Sequence, residues 1–395
     1  MYYYKSSELA EQYGVSRRTV TNWIKQASTG KLSLRIIEID GIHYIAKSEK
    51  NQERLANIVQ ERRKYLNKRS HKHLHPTQTF YEMFSQDQMS DIVRSLLAER
   101  ELPLQYTYFG EGARLWDKFR KDSGLLDAER LVSASSSYIM WLLSEYESVN
   151  IIDVGVGNGQ AVKPLISLLQ EAGKLRKYIG IDLSQNMIEI TEANLRSWFP
   201  DLPIEMHVRD FSRETFGDLA TQAHDPATQQ SSAINVVLML GGQMSNFKDP
   251  VPVLSLVNRS MSADDILITN FKLGIPEVKK QLAFISGYQT RAEILLNLMG
   301  VDRSLYDAEI GFDEEEKVRY SRIKFNRAIT IEITTPLGSW FVPFKKDDKV
   351  LTFRAHYNEP SNILEDIFVR AGFNPLMTSQ RVDHQGMLLV ADTKQ

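Results

Sequence analysis

The sequence predicts an α/β protein: a largely parallel sheet covered by helices, with an α+β segment inserted late in it and a small helical domain in front. Three observations predict it. Short apolar runs alternate with stretches of helical spacing between Asn150 and Phe271, the order that builds a parallel sheet. The first run, NIIDVGVGNGQAVKPL (Asn150–Leu165), leaves its strand through glycines at every second position and enters a helix. Further on, KFNRAITIEITTPLGSWFVPF and KVLTFRAHYN alternate apolar and polar residues as antiparallel strands do.

A chain of 395 residues is too long for one ordinary domain. With 42% hydrophobic and 25% charged residues it has the composition of a globular protein with a sizeable core. No run of about eighteen apolar residues occurs, and MYYYKSSELAEQYG lacks an apolar signal core. A cytoplasmic location is the simplest expectation. The absence of cysteine excludes disulfides, thiolate metal sites and cysteine nucleophiles. The net charge of −2 is unevenly spread: residues 1–75 hold 15 basic and 7 acidic residues, the remainder 33 basic and 43 acidic. A basic head on an acidic body points to an anionic partner for the head, or to a solvated basic linker.

In the head, Ser7 is placed to cap a short helix bearing Leu9 and Ala10. Gly14 turns the chain, Val15 plugs the turn, and Ser16 caps a second helix bearing Val20, Trp23 and Ile24. That second helix exposes Arg17, Arg18, Thr19, Thr21, Asn22 and Lys25, residue types that meet phosphates and base edges. Asp40-Gly41 between two alternating runs predicts a tight hairpin, and a charged helix follows from about Glu49 to Lys68. The set resembles the small winged helix-turn-helix domains of the MerR and excisionase type. The resemblance implies DNA binding, with a protein-contact role as the alternative, and a helix suited to pairing two heads in a homodimer. His71, His73 and His75 in HKHLH read as solvated linker residues, not metal ligands.

The glycine turn does not fit a dinucleotide fingerprint, whose third glycine would fall at Gln160, nor a Walker A loop, since no Gly-Lys-Ser/Thr follows. An acid, Asp153, stands at the strand's end, where it suits a cationic ligand better than a pyrophosphate. A second strand, in KYIGIDLSQNMI, ends at Asp182; a third, in IEMHVRDFS, ends at Asp210-Phe211; a fourth, in SAINVVLMLGGQMSNF, runs into Gly241, Gly242, Ser245 and Asn246. Every candidate falls at the carboxyl end of a strand, where open α/β sheets bind ligands. The arrangement resembles the class I S-adenosylmethionine (SAM) methyltransferases, with their Rossmann-like sheet. It implies SAM as cofactor. Asp153, Gly155, Gly157, Asn158 and Gly159 would meet its amino-acid end, Asp182 and Leu183 its ribose, Asp210 and Phe211 its adenine, with Leu240 and Gly241 beside them.

LMLGGQMSNF further resembles the L-G-[ST]-x-x-G-N-F segment of the histidine-specific SAM-dependent methyltransferase family of the ergothioneine-pathway type. LPLQYTYFGEGARLWDKF (Leu102–Phe119) is similar to that family's Y-x-x-x-G-x-x-x-[FW] run, and NLMGVDRSLYD to its helix ending in Gly-x-Asp. The resemblance implies a substrate domain inserted after a fifth strand, DDILITNF, and an acceptor site drawn from Asn246, Tyr106, Tyr108, Tyr288 and His356. The departures are specific. The family's imidazole-reading Glu-x-Ser falls at Arg354 and His356; one of its tyrosines falls near Leu125-Leu126, and its carboxylate-binding tyrosine near Phe284, with Tyr288 one turn on. An arginine at that place welcomes an acid or phosphate rather than a cationic ring.

The expected boundaries are 1–70 for the winged head, 71–101 for a basic linker and helix, 102–274 for the SAM-binding core, 275–355 for the inserted substrate domain and 356–395 for the end of the core. The expected function is SAM-dependent N-methylation of an amino-acid-like small molecule or peptide amine. The alternatives are a SAM-sensing, DNA-binding regulator without catalysis, or a nucleic-acid methyltransferase. The last is disfavoured by the acidic body and by the lack of an Asn/Asp-Pro-Pro-aromatic motif.

Overall fold

The structure, a computed structural model, describes residues 3–13, 15–68, 72–122, 127–223, 233–274, 286–335, 338–381, 384 and 386–393. The chain divides into two compact units. One comprises Met1–Leu102, Leu296–Asp307 and Ile323–Val350; the other comprises Pro103–Leu295, Ala308–Arg322 and Leu351–Gln395. This partition departs from the five segments read from the sequence. Its reason lies in HKHLH: Lys72–Leu74 is a strand, not a linker, and pairs in parallel with Ile329–Ile331, drawing that late hairpin into the first unit.

In the first unit, helices Ser6–Tyr13 and Arg17–Ser28 are followed by the hairpin Ile36–Ile39 and Ile42–Ala46, with Tyr3–Tyr4 as a third strand. Ser16 caps the second helix by accepting the Thr19 N–H at 3.1 Å. Ser7 lies inside the first helix rather than at its cap, because the Glu8 carboxylate takes the Lys5 N–H at 3.1 Å and closes the start earlier. Gly14 and His71 lie outside the described residues. Asp40 and Gly41 turn the hairpin with φ of 51° and 76°, the left-handed pair that matches strand twist. Leu9, Val20, Trp23, Ile45 and Leu55 form the core of this segment. Helix Glu49–Lys68 is anchored by buried Asn51, whose Nδ2 donates to the Arg35 and Ala46 carbonyls at 2.8 Å each. His73 and His75 approach Glu332 at 3.9 and 4.0 Å, and no metal-holding cluster occurs among the described residues.

The second unit is built on a seven-stranded sheet. Its strands are β1 (Ser148–Val154), β2 (Leu175–Asp182), β3 (Ile204–Val208), β4 (Ala233–Met239), β5 (Ile266–Lys272), β6 (Phe373–Gln380) and β7 (Gly386–Thr393). The order is β6-β7-β5-β4-β1-β2-β3. β1 to β5 run parallel and β7 is antiparallel to both neighbours. β1, β4 and β7 read as almost unbroken apolar runs because helices cover both faces. Two buried clusters, one per face, share the alternating residues of β1: Ile152 and Val154 in one, Val149 and Ile151 in the other. A helix before β6 has a wide-turned π segment at Asn362–Phe368. Strands Tyr306–Asp313, Val318–Phe325 and Lys349–His356 form a separate three-stranded sheet, of which residues 308–322 and 351–356 fall in this unit. Among the described residues, no helix is long and apolar enough to cross a membrane.

Candidate functional site

The site grows from the carboxyl ends of β1, β2, β4 and β5. At the end of β1 the chain turns through Gly155 at φ 77°, a conformation that favours glycine. A side chain there would also have no room: a Cβ on Gly155 would lie 2.4 Å from Gln243 Oε1. Gln243 reaches that point from the loop after β4 and donates through Nε2 to the Val154 carbonyl at 2.6 Å. Gly157 lies under Trp116, whose Nε1 would be 3.6 Å from an added Cβ. Gly159 instead packs against helix Gln185–Trp198, whose Thr191 hydroxyl donates to the Gly157 carbonyl at 2.8 Å. Asn158 is buried and donates to Asp117 Oδ1 at 3.0 Å. Thus Gly155 and Gly157 line the opening of the turn, while Gly159 and Asn158 hold its shape.

Two acids close this part. Asp153 is buried and accepts the Tyr178 hydroxyl at 2.8 Å. Burial raises its carboxyl to about 7, the Tyr178 bond offsets part of that, and the charge of Asp182 adds to it. Burial raises Asp182 to about 6 against backbone N–H groups of Ser184, Gly157 and Leu183, the first at 2.9 Å. Asp182 therefore ties the glycine turn to the end of β2. Asp210 does not end a strand: β3 stops at Val208, and Asp210 starts a turn, accepting the Ser212 N–H at 3.0 Å and hydroxyl at 2.5 Å. Phe211 packs against the core. The Leu240 carbonyl accepts from Gln243 at 3.4 Å, and Gly241 faces open space, with nothing within 4 Å of an added Cβ.

On the other side of β4, Ser245 and Asn246 sit in a short turn held by the Lys272 N–H, which donates to Ser245 Oγ at 3.0 Å. The Oδ1 of Asn246 is buried and has no partner among the described residues. His356 Nε2 is likewise buried without a partner among the described residues. Burial, then the charges of Arg354 and Lys248, hold the His356 imidazolium below the usual range. Tyr108 meets Trp116 edge-on at 5.7 Å, and the Arg291 guanidinium stands 4.7 Å from its ring and 4.8 Å from that of Trp116. The Tyr108 carbonyl accepts the Ser184 hydroxyl at 2.7 Å, which fastens this aromatic segment to the helix following Asp182. Tyr106 is buried, its ring centroid 6.0 Å from that of Phe109. Tyr288 belongs to helix Ser286–Leu298, but its side chain, like Leu125, Leu126 and Phe284, lies outside the described residues.

Sequence reasoning did not assign Trp116, Gln243, Lys272, Arg291 or Arg319. Trp116 and Gln243 stood inside quoted motifs, and Lys272 at a strand end, so a signal existed for those three. Arg319 shares the phase of Ile323 and Phe325 on its strand, a signal of its burial, whereas Arg291 carried none.

The sequence profile of a family described as histidine-specific methyltransferase, SAM-dependent, matches residues 88–391. The chain belongs to that family. It is a SAM-dependent methyltransferase with SAM as its cofactor. Among solved structures, the methyltransferase is similar to an S-adenosylmethionine-dependent methyltransferase from Clostridium acetobutylicum at 12% identity, covering 72% of this chain and 98% of that one with a TM-score of 0.37. It is also similar to a magnesium protoporphyrin IX methyltransferase from Synechocystis solved with bound SAH, at 12% identity over 74% of this chain and 98% of that one, TM-score 0.38. No curated protein matches the sequence. The residues present fit SAM: space is open at Gly241 in the loop after β4, and the carboxyls of buried Asp153 and half-buried Asp182, both raised by desolvation, would gain from a cation and hydroxyl donors.

Proposed function

We propose that the enzyme methylates the nitrogen of an amino-acid-like small molecule or peptide amine. The observation that carries this is the buried Oδ1 of Asn246, which has no partner among the described residues. A buried carbonyl oxygen without a donor is costly, and an N–H on the acceptor would satisfy it. SAM supplies, when bound, an electrophilic methyl group. In this reading Asp153 holds the ammonium of its amino-acid end, Asp182 its ribose hydroxyls, and Asp210 with Phe211 its adenine. Gly155, Gly157, Asn158 and Gly159 shape that cradle, and Leu183, Leu240 and Gly241 border it. Trp116 and Tyr108 exclude water, while Tyr106, Tyr288 and His356 position the acceptor.

Asn246→Ala is expected to lower turnover about 10- to 100-fold, the worth of a hydrogen bond to a charged group, and to leave SAM affinity within about twofold. Calorimetric titration of SAM beside an assay of S-adenosylhomocysteine release checks both. Loss of SAM binding in that variant would move Asn246 to the cofactor.

The head supports a second, separate role in reading DNA in the cytoplasm, with Glu49–Lys68 pairing two copies. Arg17, Arg18, Thr21, Asn22 and Lys25 are all exposed on helix Arg17–Ser28. Duplex affinity should fall steeply between about 50 and 200 mM salt through counterion release. The Arg17→Ala, Arg18→Ala double variant should weaken binding at every sequence, read by fluorescence anisotropy, without altering SAM affinity. DNA affinity that responds to SAM in a protein that turns over no amine would favour the sensor reading instead.

A further inference from the structure

In the second unit, a buried arginine and a partly buried lysine stand without counterions among the described residues. Arg319, on strand Val318–Phe325, is 2% exposed, and its Nε and Nη1 have no hydrogen-bond partner among the described residues. Its guanidinium lies 5.4 Å from the ring of Tyr357. Lys272 ends β5, with Nζ 5.9 Å from the ring of Phe353 and no ion pair among the described residues. Phe353 and Tyr357 belong to one apolar cluster with Trp116 and Phe312, so both cations share a wall with the lid of the glycine turn. Lys272 also touches the loop of Asn246: its Cε lies 3.4 Å from a Cβ built on Gly242. Burial, then the charge of Arg319, lowers the Lys272 ammonium to about 7. On the same strand as Arg319 and just before it, Arg322 and Lys317 do have counterions, Glu309 and Glu359, at 2.6 Å each.

Buried like charges without a carboxylate raise the energy of the free protein. Aromatic faces soften that cost but do not neutralise it. An anion with two or more oxygens would satisfy the guanidinium fork and restore the full charge of the ammonium. The acids read as SAM contacts stand on β1 and β2, with β4 between them and Lys272 on β5. The anion therefore belongs on the acceptor side.

We propose that Arg319 and Lys272 form a receptor for an anionic group, a carboxylate or a phosphate, on the methyl acceptor, so that the enzyme takes an acidic amine rather than a cationic one. This rests on the reading of Asn246 as the acceptor's amine contact. Arg354 and Lys248, flanking His356, add positive charge on the same side.

The test uses full-length protein saturated with S-adenosylhomocysteine and titrated calorimetrically with inorganic phosphate, then with malonate. Saturable binding is expected for one or both, weakened at least about tenfold in Arg319→Met and in Lys272→Met. Preference for phosphate marks a phosphorylated acceptor, and preference for malonate a carboxylic one. Because Arg319→Met removes a buried charge and Lys272→Met a partly buried one, neither paired with a carboxylate among the described residues, melting temperatures should hold or rise, whereas a structural ion pair would lose stability. SAM affinity should be unchanged. Anion affinity equal to wild type in both variants overturns the proposal, as does loss of SAM binding in parallel, which would assign the pair to the cofactor's own carboxylate. A screen of phosphorylated and dicarboxylic amines that yields no S-adenosylhomocysteine, with anion binding still dependent on both residues, would fail the function reading and leave the receptor standing.

Discussion

Gly155→Val is expected to weaken SAM binding by at least about 100-fold and to abolish turnover at ordinary SAM concentrations. Two costs combine. A β-branched residue at φ 77° is strained by about 1–3 kcal/mol. Its Cβ also meets Gln243 Oε1 at 2.4 Å, so Gln243 must swing away and give up its bond to the Val154 carbonyl. Melting should fall by a few degrees only, because the turn lies outside both core clusters. A double-mutant cycle separates the two causes. Gly155→Ala alone carries both, while Gly155→Ala with Gln243→Ala keeps only the backbone strain, so the cycle should show a coupling of about 1 kcal/mol. Wild-type SAM affinity in Gly155→Val would mean the turn does not approach the cofactor.

The second large effect is on pH. SAM affinity is expected to be full near pH 8 and to fall towards pH 5, by about 100-fold through protonation of Asp153 and by up to about tenfold more through Asp182. The sign follows from the free protein, where burial raises both carboxyls to about 7 and about 6, while binding a cationic ammonium and hydroxyl donors requires them ionised. Stability of the free protein runs the other way. Both groups titrate above their unfolded values, so their contribution is present below about pH 4 and is lost as pH rises through about 6 and 7. The rise in melting temperature on adding SAM should therefore be larger at pH 8 than at pH 6. Asp153→Asn should lower affinity at pH 8 and leave only the shallower, about tenfold dependence of Asp182 between pH 7 and pH 5. An affinity independent of pH between 5 and 8 would detach both acids from the cofactor.

The strand-end acids were legible because each is a polar residue closing an apolar run, a pattern that local sequence carries by itself. The glycine turn was legible for the same reason. Gln243 was visible as a residue but not as a partner of Gly155, since that contact joins the ends of β1 and β4 and has no local signature. Trp116 over Gly157 and Arg291 over Tyr108 are likewise tertiary pairings. The third strand was read two residues too long, to Asp210 rather than Val208, because IEMHV and RDF run together without a glycine or proline between them. Arg319 shares the buried face of its strand with Ser321, Ile323 and Phe325, so a period-two reading of VRYSRIKF carried the signal that its side chain faces inward.

Lys72–Leu74 carried least signal of all: a short, histidine-rich strand whose partner, Ile329–Ile331, lies about 250 residues further along the chain. During synthesis, that early edge leaves the ribosome long before its complement exists. At about 5–20 residues per second the interval is on the order of 10–50 s, far longer than helices or hairpins need to form. The head has time to fold on its own around Trp23, while the segment from Lys72 to Ala98 waits for the late hairpin. Nascent chains stalled shortly before Ile329 thus carry an unpaired strand edge, an opening for chaperones or for mispairing with another copy.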